Sequence, residues 1–268
     1  MKSVLLLVVC AAGALKAAPE YVERLSSASA VLKEIMSAPD SAIPQELLDR
    51  SYCAVIVPGL KKAGFIIGAK YGKGYVSCRK KNGAGWTAPG SVRIEGGSFG
   101  FQIGASETDV VMLIMNQRGM DRLFTSQFTL GGDASVAAGP VGRHTSAQTG
   151  VFLTAEILSW SRTRGVFAGV ALTGATLRQD VSDNNELYGK PLENREIIEG
   201  GIGTPRPARE FVSLLDNYSS RRTSFLWPRD WGPTFAPGYV EGFVRNDQGT
   251  SVQCAGLAPI RERLFVQP

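Results

Sequence analysis

The sequence predicts an α+β fold: a curved or barrel-like antiparallel β-sheet with helices at the N- and C-terminal ends of the domain. Three observations carry this. Short apolar runs follow one another from Cys53 to Arg178 with turns between them and no crossover helices, which requires antiparallel pairing. Apart from short helical stretches at Pro44–Arg50 and Arg118–Ser126, helical segments lie at Tyr21–Met36 and in the region after Asn184. The 268 residues include 31 glycines, a composition of tight turns and closely approaching strands rather than long helices.

The elements follow in order. Residues 1–18 read as a signal peptide: Lys2, an apolar stretch from Val4, then small residues up to Ala18. In Tyr21–Met36, Val22, Leu25, Val31, Leu32, Ile35 and Met36 recur at helical spacing. The polar residues around them (Glu20, Glu23, Arg24, Lys33, Glu34) are not predominantly basic, so this helix is expected to pack on the domain's own core rather than on an anionic membrane. Pro44–Arg50 is a second short helix. Cys53–Val57 is a buried strand stopped by Pro58-Gly59. Ala63–Tyr71 and Tyr75–Lys80 are strands joined by a turn at Gly72-Lys73-Gly74. Ser91–Gly104 alternates as a strand with a bend at Gly96-Gly97, and Asp109–Met115 is a long apolar strand. Arg118–Ser126 reads as a short helix. Val151–Trp160 and Gly165–Arg178 are strands joined by the basic turn Ser161–Arg164. Asn184–Tyr188, Glu193–Glu199 and Arg209–Tyr218 are helical. From Arg221 the character changes to a Trp- and Pro-containing extension, residues 221–268, with a hairpin signal at Asp247-Gln248-Gly249.

Charge singles out one stretch. Between Ser51 and Ile94 there is no Asp or Glu, while Lys61, Lys62, Lys70, Lys73, Arg79, Lys80, Lys81 and Arg93 give +8. The whole chain is only +5, so the remainder carries −3. Such a window on an otherwise slightly acidic body is an anion-binding candidate. Its ordinary reading is a solvated strand edge on which lysines block aggregation. Its functional reading is phosphate recognition at a membrane, with about 1 kcal/mol from each Lys or Arg near an anionic bilayer. Trp86 would add an interfacial aromatic. Nucleic acid is not expected as a partner, because a signal peptide takes the chain away from it.

Other chemistry is poorly supported. Gly96-Gly-Ser98-Phe-Gly100 fits a nucleophile-elbow pattern, and the chain's one histidine, His144, follows several aspartates. But an elbow needs strand, turn and helix, whereas Phe99–Gly104 continues to alternate as a strand. Gly131–Gly142 lacks the Gly-Lys-Ser/Thr of a phosphate loop. One histidine and no Cys-x-x-Cys leave no zinc site. If the leader is removed with Cys10, three cysteines remain. Cys53 and Cys78 lie on neighbouring strands and either pair or are simply buried small residues.

A set of ordered motifs resembles a known family. Ile43-Pro44 with Leu47-Leu48, Ala54-Val-Ile-Val-Pro58, Lys62-Ala-Gly-Phe-Ile-Ile-Gly68, Gly72-Lys-Gly74 and Trp86-Thr-Ala-Pro89 come first. Gly100-Phe-Gln-Ile-Gly104, Thr108-Asp-Val-Val111, Gly139-Pro-Val-Gly142, Ser161–Gly174, Tyr188-Gly189 and Thr204–Pro207 follow. On these, residues 19–220 resemble the SYLF domain, a lipid-binding domain shared by yeast actin-bundling proteins, an animal phosphoinositide-binding relative and exported bacterial proteins. The resemblance implies binding of phosphoinositide-like or other acidic lipids, a possible actin-type filament or protein partner, no cofactor and no enzymatic activity. The expected protein is therefore exported (periplasmic, secreted or envelope-associated), with peripheral membrane contact. Lys61, Lys62, Lys70, Lys73, Arg79, Lys80, Lys81 and Trp86 are its expected lipid-binding residues.

Overall fold

The computed structural model describes residues 18–38, 43–65, 67–81, 84–99, 104–141, 155–163, 166–219, 240–245 and 251–256. The chain divides into two compact units, one up to Arg222 and one from Thr223 to Pro268. In the second, two strands pair antiparallel, with Val240 opposite Gly256 and Arg245 opposite Ser251. The leader up to Lys16-Ala17, His144 and the Asp247–Gly249 turn lie outside the described residues.

The first unit is built on one nine-stranded sheet of mixed α+β context. Its strands are β1 (Cys53–Phe65), β2 (Ile67–Cys78), β3 (Gly90–Phe99), β4 (Gly104–Ile114), β5 (Gln127–Thr129), β6 (Val136–Ala138), β7 (Ile157–Thr163), β8 (Val166–Gly169) and β9 (Thr176–Gln179). They lie in the order β5-β9-β3-β2-β1-β4-β7-β6, and β8 shares the outer edge of β7. Every pairing is antiparallel except β6 with β7. Laid flat, seven strand spacings would hold β5 and β6 about 34 Å apart. The chain joins them through Leu130–Ser135, a connection that reaches roughly 24 Å at full extension. The sheet must therefore curl, and it forms a half-barrel. A second crossing, Val170–Ala175, closes the same gap. The two are bonded to each other, Leu130 N–H donating to Ala175 C=O and Gly174 N–H to Leu130 C=O.

Both faces of the central strands are buried, which explains their continuous apolar runs. Val55, Val57, Val76, Val92, Ile94, Val110, Met112 and Ile114 fill the concave face beneath Leu130, Leu172 and Leu177. Cys53 and Cys78, register partners on β1 and β2, are joined there by a disulfide. The convex face presents Ala54, Ile56, Tyr75, Val111, Leu158 and Trp160 to the helices. Those are α1 (Glu20–Ser37), α2 (Gln45–Arg50) and α6 (Arg209–Tyr218), while α3 (Gln117–Leu123), α4 (Val181–Tyr188) and α5 (Asn194–Glu199) brace the flanks. Leu25, Val31, Leu32 and Ile35 of α1 are each at most 2% exposed. At about 1.5–3 kcal/mol per buried side chain, the apolar face of α1 belongs to this core and not to a membrane.

Four turn and strand expectations are corrected. Pro58-Gly59 does not stop β1; it is a bulge inside it. Four β1 residues between Ile56 and Lys61 oppose three of β2, and Pro58-Gly59 oppose Asp109 alone on β4. Gly59 takes φ +60°, open to glycine at little cost. Gly72-Lys73-Gly74 is not a turn either; β2 runs straight through it. A Cβ on Gly74 would stand 2.1 Å from the Ile56 carbonyl oxygen, so the glycines are there because the bulge presses β1 onto β2. Ser161–Thr163 continue β7 rather than turn. Gly165–Arg178 is two strands, and β8 and β9 pair with β7 and β3 on opposite sides of the sheet. Ser98 sits within β3 opposite Gly68, so the strand passes through it without the strand-to-helix elbow a nucleophile needs.

Candidate functional site

The eight expected lipid-binding residues fall into three groups along the β1–β2 pair. At its base, Arg79 and Trp86 are interior. The Arg79 guanidinium lies 4.1 Å over the Trp86 ring and donates to the Ser219 carbonyl and hydroxyl and, at 3.1 Å, to the Leu48 carbonyl. Trp86 Nε1 donates to the same Ser219 carbonyl at 3.3 Å, and Asp216 accepts the Trp86 backbone N–H at 3.0 Å. A cation at the C-terminus of α6 meets the negative end of the helix dipole and its unsatisfied carbonyls. These two residues therefore end α6 and tie it to α2, and they present nothing to a bilayer. Lys80 and Lys81 beside them are exposed, and Lys81 pairs with Glu199 at 3.6 Å.

Mid-strand, Lys73 points to the convex side and is committed to carboxylates, Asp183 at 3.2 Å and Asp180 at 3.4 Å. Asp183 also holds Arg24 of α1, so one buried network pins α1 and α4 to β2. Burial favours the neutral form of Asp180. The Ser182 hydroxyl, the Asp183 N–H and the Lys73 ammonium outweigh it and hold the carboxyl below its ordinary range. For Lys73, burial favours loss of the proton, but Asp183 and Asp180 raise its affinity above the ordinary value. Beside this network a cleft of about 810 Å³ opens between α1 and the bulge. Its floor is Asp109, whose carboxylate accepts the Gly59 N–H at 2.9 Å and the Arg162 Nε at 2.7 Å; Arg162 also pairs with Glu34. The lining holds four cations (Arg24, Lys61, Lys73, Arg162) and four carboxylates (Glu20, Glu23, Glu107, Asp109), so it has no net attraction for an anion.

The far end of the pair is different. Cross-strand register builds two successive rows over β3-β2-β1-β4. On the convex side, Glu95, Tyr71, Lys61 and Glu107 lie abreast, so carboxylates flank Lys61. On the concave side the row is Gly96, Lys70, Lys62 and Ser106, with two lysines directly opposite one another. Opposed residues of an antiparallel pair have Cβ atoms about 4.5–5.5 Å apart, and like charges there are destabilising. Burial, and then the neighbouring Lys70, lower the proton affinity of Lys62 below that of an ordinary lysine. Among the described residues neither lysine has an ion-pair partner. Two ammonium groups with a hydroxyl beside them offer the kind of donors that phosphate oxygens accept from. Charge counting found both lysines. It missed Ser106 and Gly96, which only the register brings into the row.

Among the described residues no cluster of His, Cys, Asp and Glu is arranged to hold a metal, and no helix is long and apolar enough to cross a membrane. Fold and site thus define a class: a curled antiparallel half-barrel, covered by helices, with a lysine pair at one open end. Comparison with known proteins gives the family. Residues 95–218 match the Ysc84 family, described as "Las17-binding protein actin regulator". The chain is 32% identical over 202 residues to the Xenopus laevis SH3 domain-containing YSC84-like protein 1, covering 72% of this chain and 59% of that one. It is 30% identical over 186 residues to the Homo sapiens protein of that name (69% and 54%) and 31% over 184 to Saccharomyces cerevisiae Protein YSC84 (66% and 38%). The chain belongs to the SYLF (Ysc84) domain family. It spans between about two fifths and three fifths of the length of these relatives.

Proposed function

We propose that this chain is a non-enzymatic protein that binds anionic phospholipid headgroups at a membrane surface, and that Lys62 and Lys70 hold the phosphate. The observation that carries this is the opposed lysine pair. The fold maintains a repulsion that carboxylates relieve for Lys73 and Lys81 and that nothing described relieves here. A phosphate between the two would relieve it. Ser106 extends the same surface, whereas Lys61 faces the other side of the sheet between carboxylates. Lys80 and Lys81 contribute at most long-range attraction, and Lys73, Arg79 and Trp86 serve the fold. Co-sedimentation with vesicles tests the reading: phosphatidylglycerol-containing vesicles should pull the protein down and purely phosphatidylcholine vesicles should not. Equal recovery with both ends the proposal.

The reading includes export. The leader pattern supports it, and so does the Cys53–Cys78 bond, which suits an oxidising compartment. Sequencing the mature N-terminus decides it; a chain isolated with Met1 and its leader intact rules it out.

A second reading has its own support in the family description, "actin regulator", and in the YSC84-like relatives. In it the chain is a scaffold whose lysine-bearing end meets an acidic filament surface. Pelleting with purified actin filaments in the absence of lipid separates the two, since salt weakens both alike.

A further inference from the structure

The row that opposes Lys62 and Lys70 differs chemically from the other charged rows of the sheet. Elsewhere the fold sets a carboxylate against the cation. Lys73 meets Asp180 and Asp183, Arg93 and Arg178 meet Glu95, and Arg162 meets Asp109. Lys61 lies opposite Glu107 on the other side of the sheet. Lys62 has Lys70 across the strand on β2 and Ser106 across the strand on β4. The next row on the same face holds Ile94, Gly72, Leu60 and Thr108, none of them ionisable. Gly96, at the end of the Lys62 row, lies against Gly174 and Ala175 of the second crossing. The residues of that crossing, Val170–Ala175, carry no charge. Among the described residues, Lys70 is therefore the charged group that faces Lys62 from the elements around it.

This surrounding has a chemical consequence. Lys62 is half-buried. Burial disfavours an ammonium ion, and a second ammonium directly opposite disfavours it again. Both effects favour the neutral amine of Lys62 over its ammonium form. A neutral amine has a free lone pair, and a lysine set beside another cation is one of the arrangements that turn lysine into a nucleophile. The Cβ atoms of the two residues stand about 4.5–5.5 Å apart, so both side chains can reach one small molecule. The positive charge of the row, which no described carboxylate offsets, draws molecules that carry an anionic group.

We propose that Lys62 is a reactive amine that condenses with aldehydes bearing an anionic group, while Lys70 and Ser106 hold that group. The Lys62 Nζ lone pair adds to the carbonyl carbon, and one N–H proton passes to the carbonyl oxygen. The resulting carbinolamine loses its hydroxyl together with the second proton of the nitrogen, as water. One amine and one aldehyde give one imine and one water, with no change of oxidation state. The proposal needs the lysine pair and no membrane, so it stands apart from the lipid-binding reading.

Pyridoxal phosphate, an aldehyde that carries a phosphate, is the probe. The full chain, with the Cys53–Cys78 bond intact, is treated with limiting probe. The imine is fixed with cyanoborohydride, and the labelled peptides are mapped by mass spectrometry. Lys62 should take the label ahead of Lys61, Lys80 and Lys81. Its labelling rate should level off at a lower pH than that of Nα-acetyl-lysine measured alongside. Lys70→Gln should slow labelling of Lys62 by up to about fivefold, the most that a cross-strand pair is worth, and move the plateau to higher pH. Lys70→Arg keeps the cation and should restore both. Acetaldehyde, which has no anionic group, should discriminate less between Lys62 and the other lysines. Label spread evenly over the lysines of the unmodified chain overturns the proposal. So does a Lys62 rate and pH profile that Lys70→Gln leaves unchanged in a variant whose thermal unfolding shows it folded. Preferential labelling of Lys62 in a chain that binds no vesicles supports the proposal and ends the lipid reading alone; vesicle binding with evenly spread label does the reverse.

Discussion

Lys70→Gln should make the protein more stable and a poorer membrane binder. Lys70 stands directly opposite Lys62 on β1, and among the described residues no carboxylate offsets either charge. Gln keeps the inner half of the aliphatic stem, stays polar and removes the charge. Cross-strand pairs are worth about 0.2–1 kcal/mol, and Lys62 is half-buried, so the gain belongs in the upper part of that range. For a domain of this size it corresponds to a Tm increase of about 1–4 °C. In 1 M salt, where the Debye length falls to about 3 Å, most of the gain should vanish. The pH dependence has a definite sign. The Lys62 proton affinity is lowered by burial and by Lys70, so in the alkaline window below the ordinary lysine value of 10.5 the unfolded chain binds more protons than the folded one. Stability therefore rises with pH there, and it should rise less in Lys70→Gln, where only the burial component remains. Differential scanning calorimetry at low and high salt reads all of this. A fall in Tm, or a gain that 1 M salt leaves intact, refutes the repulsion.

Three further outcomes follow from the fold. Arg79→Gln should cost about 3 kcal/mol in urea unfolding, because it strips a buried cation from the Ser219 and Leu48 carbonyls; a change under 0.5 kcal/mol would make Arg79 a surface residue after all. Gly74→Ala should destabilise by at least about 1–3 kcal/mol, since its Cβ would meet backbone of β1 at 2.1 Å, whereas Gly97→Ala, with its nearest neighbour at 3.9 Å, should be tolerated. Asp180 has its carboxyl held below the ordinary value of 3.8. Its contribution is present above that value and is lost as pH falls through the lowered one. Acid unfolding of Asp180→Asn, followed by circular dichroism, should thus be less steep than that of the wild type.

The helices were legible in the sequence because the 3.6-residue spacing of Leu25, Val31, Leu32 and Ile35 in α1 reports a one-sided burial. The strands were legible as apolar runs, but their ends were not. Gly72 and Gly74 look like a turn in one dimension, and their role as clearance for the Val57–Leu60 bulge requires knowing that β1 lies beside them. The split of Gly165–Arg178 between two sides of the sheet depends on curling, which no local signal encodes. The site shows the same division. A carboxylate-free window announced the lysines as a set. It could not sort them, because the partners that remove Lys73, Arg79 and Lys81 from the set are Asp183, Ser219 and Glu199, each more than 100 residues away. Ser106 was invisible for the complementary reason: it carries no charge and gains significance only from its place opposite Lys62.

The central claim is that the Lys62–Lys70 end, and not the Lys80–Lys81 end, meets anionic lipid. Its most direct test sets two charge reversals side by side in vesicle co-sedimentation, Lys62→Glu/Lys70→Glu against Lys80→Glu/Lys81→Glu. Each changes the net charge by the same four units, so general electrostatics cancels. The first pair should abolish recovery with phosphatidylglycerol vesicles, by about 4 kcal/mol at 1 kcal/mol per unit of charge near the surface, and the second should weaken it only modestly. Equal losses, or a larger loss from Lys80→Glu/Lys81→Glu, would contradict the account.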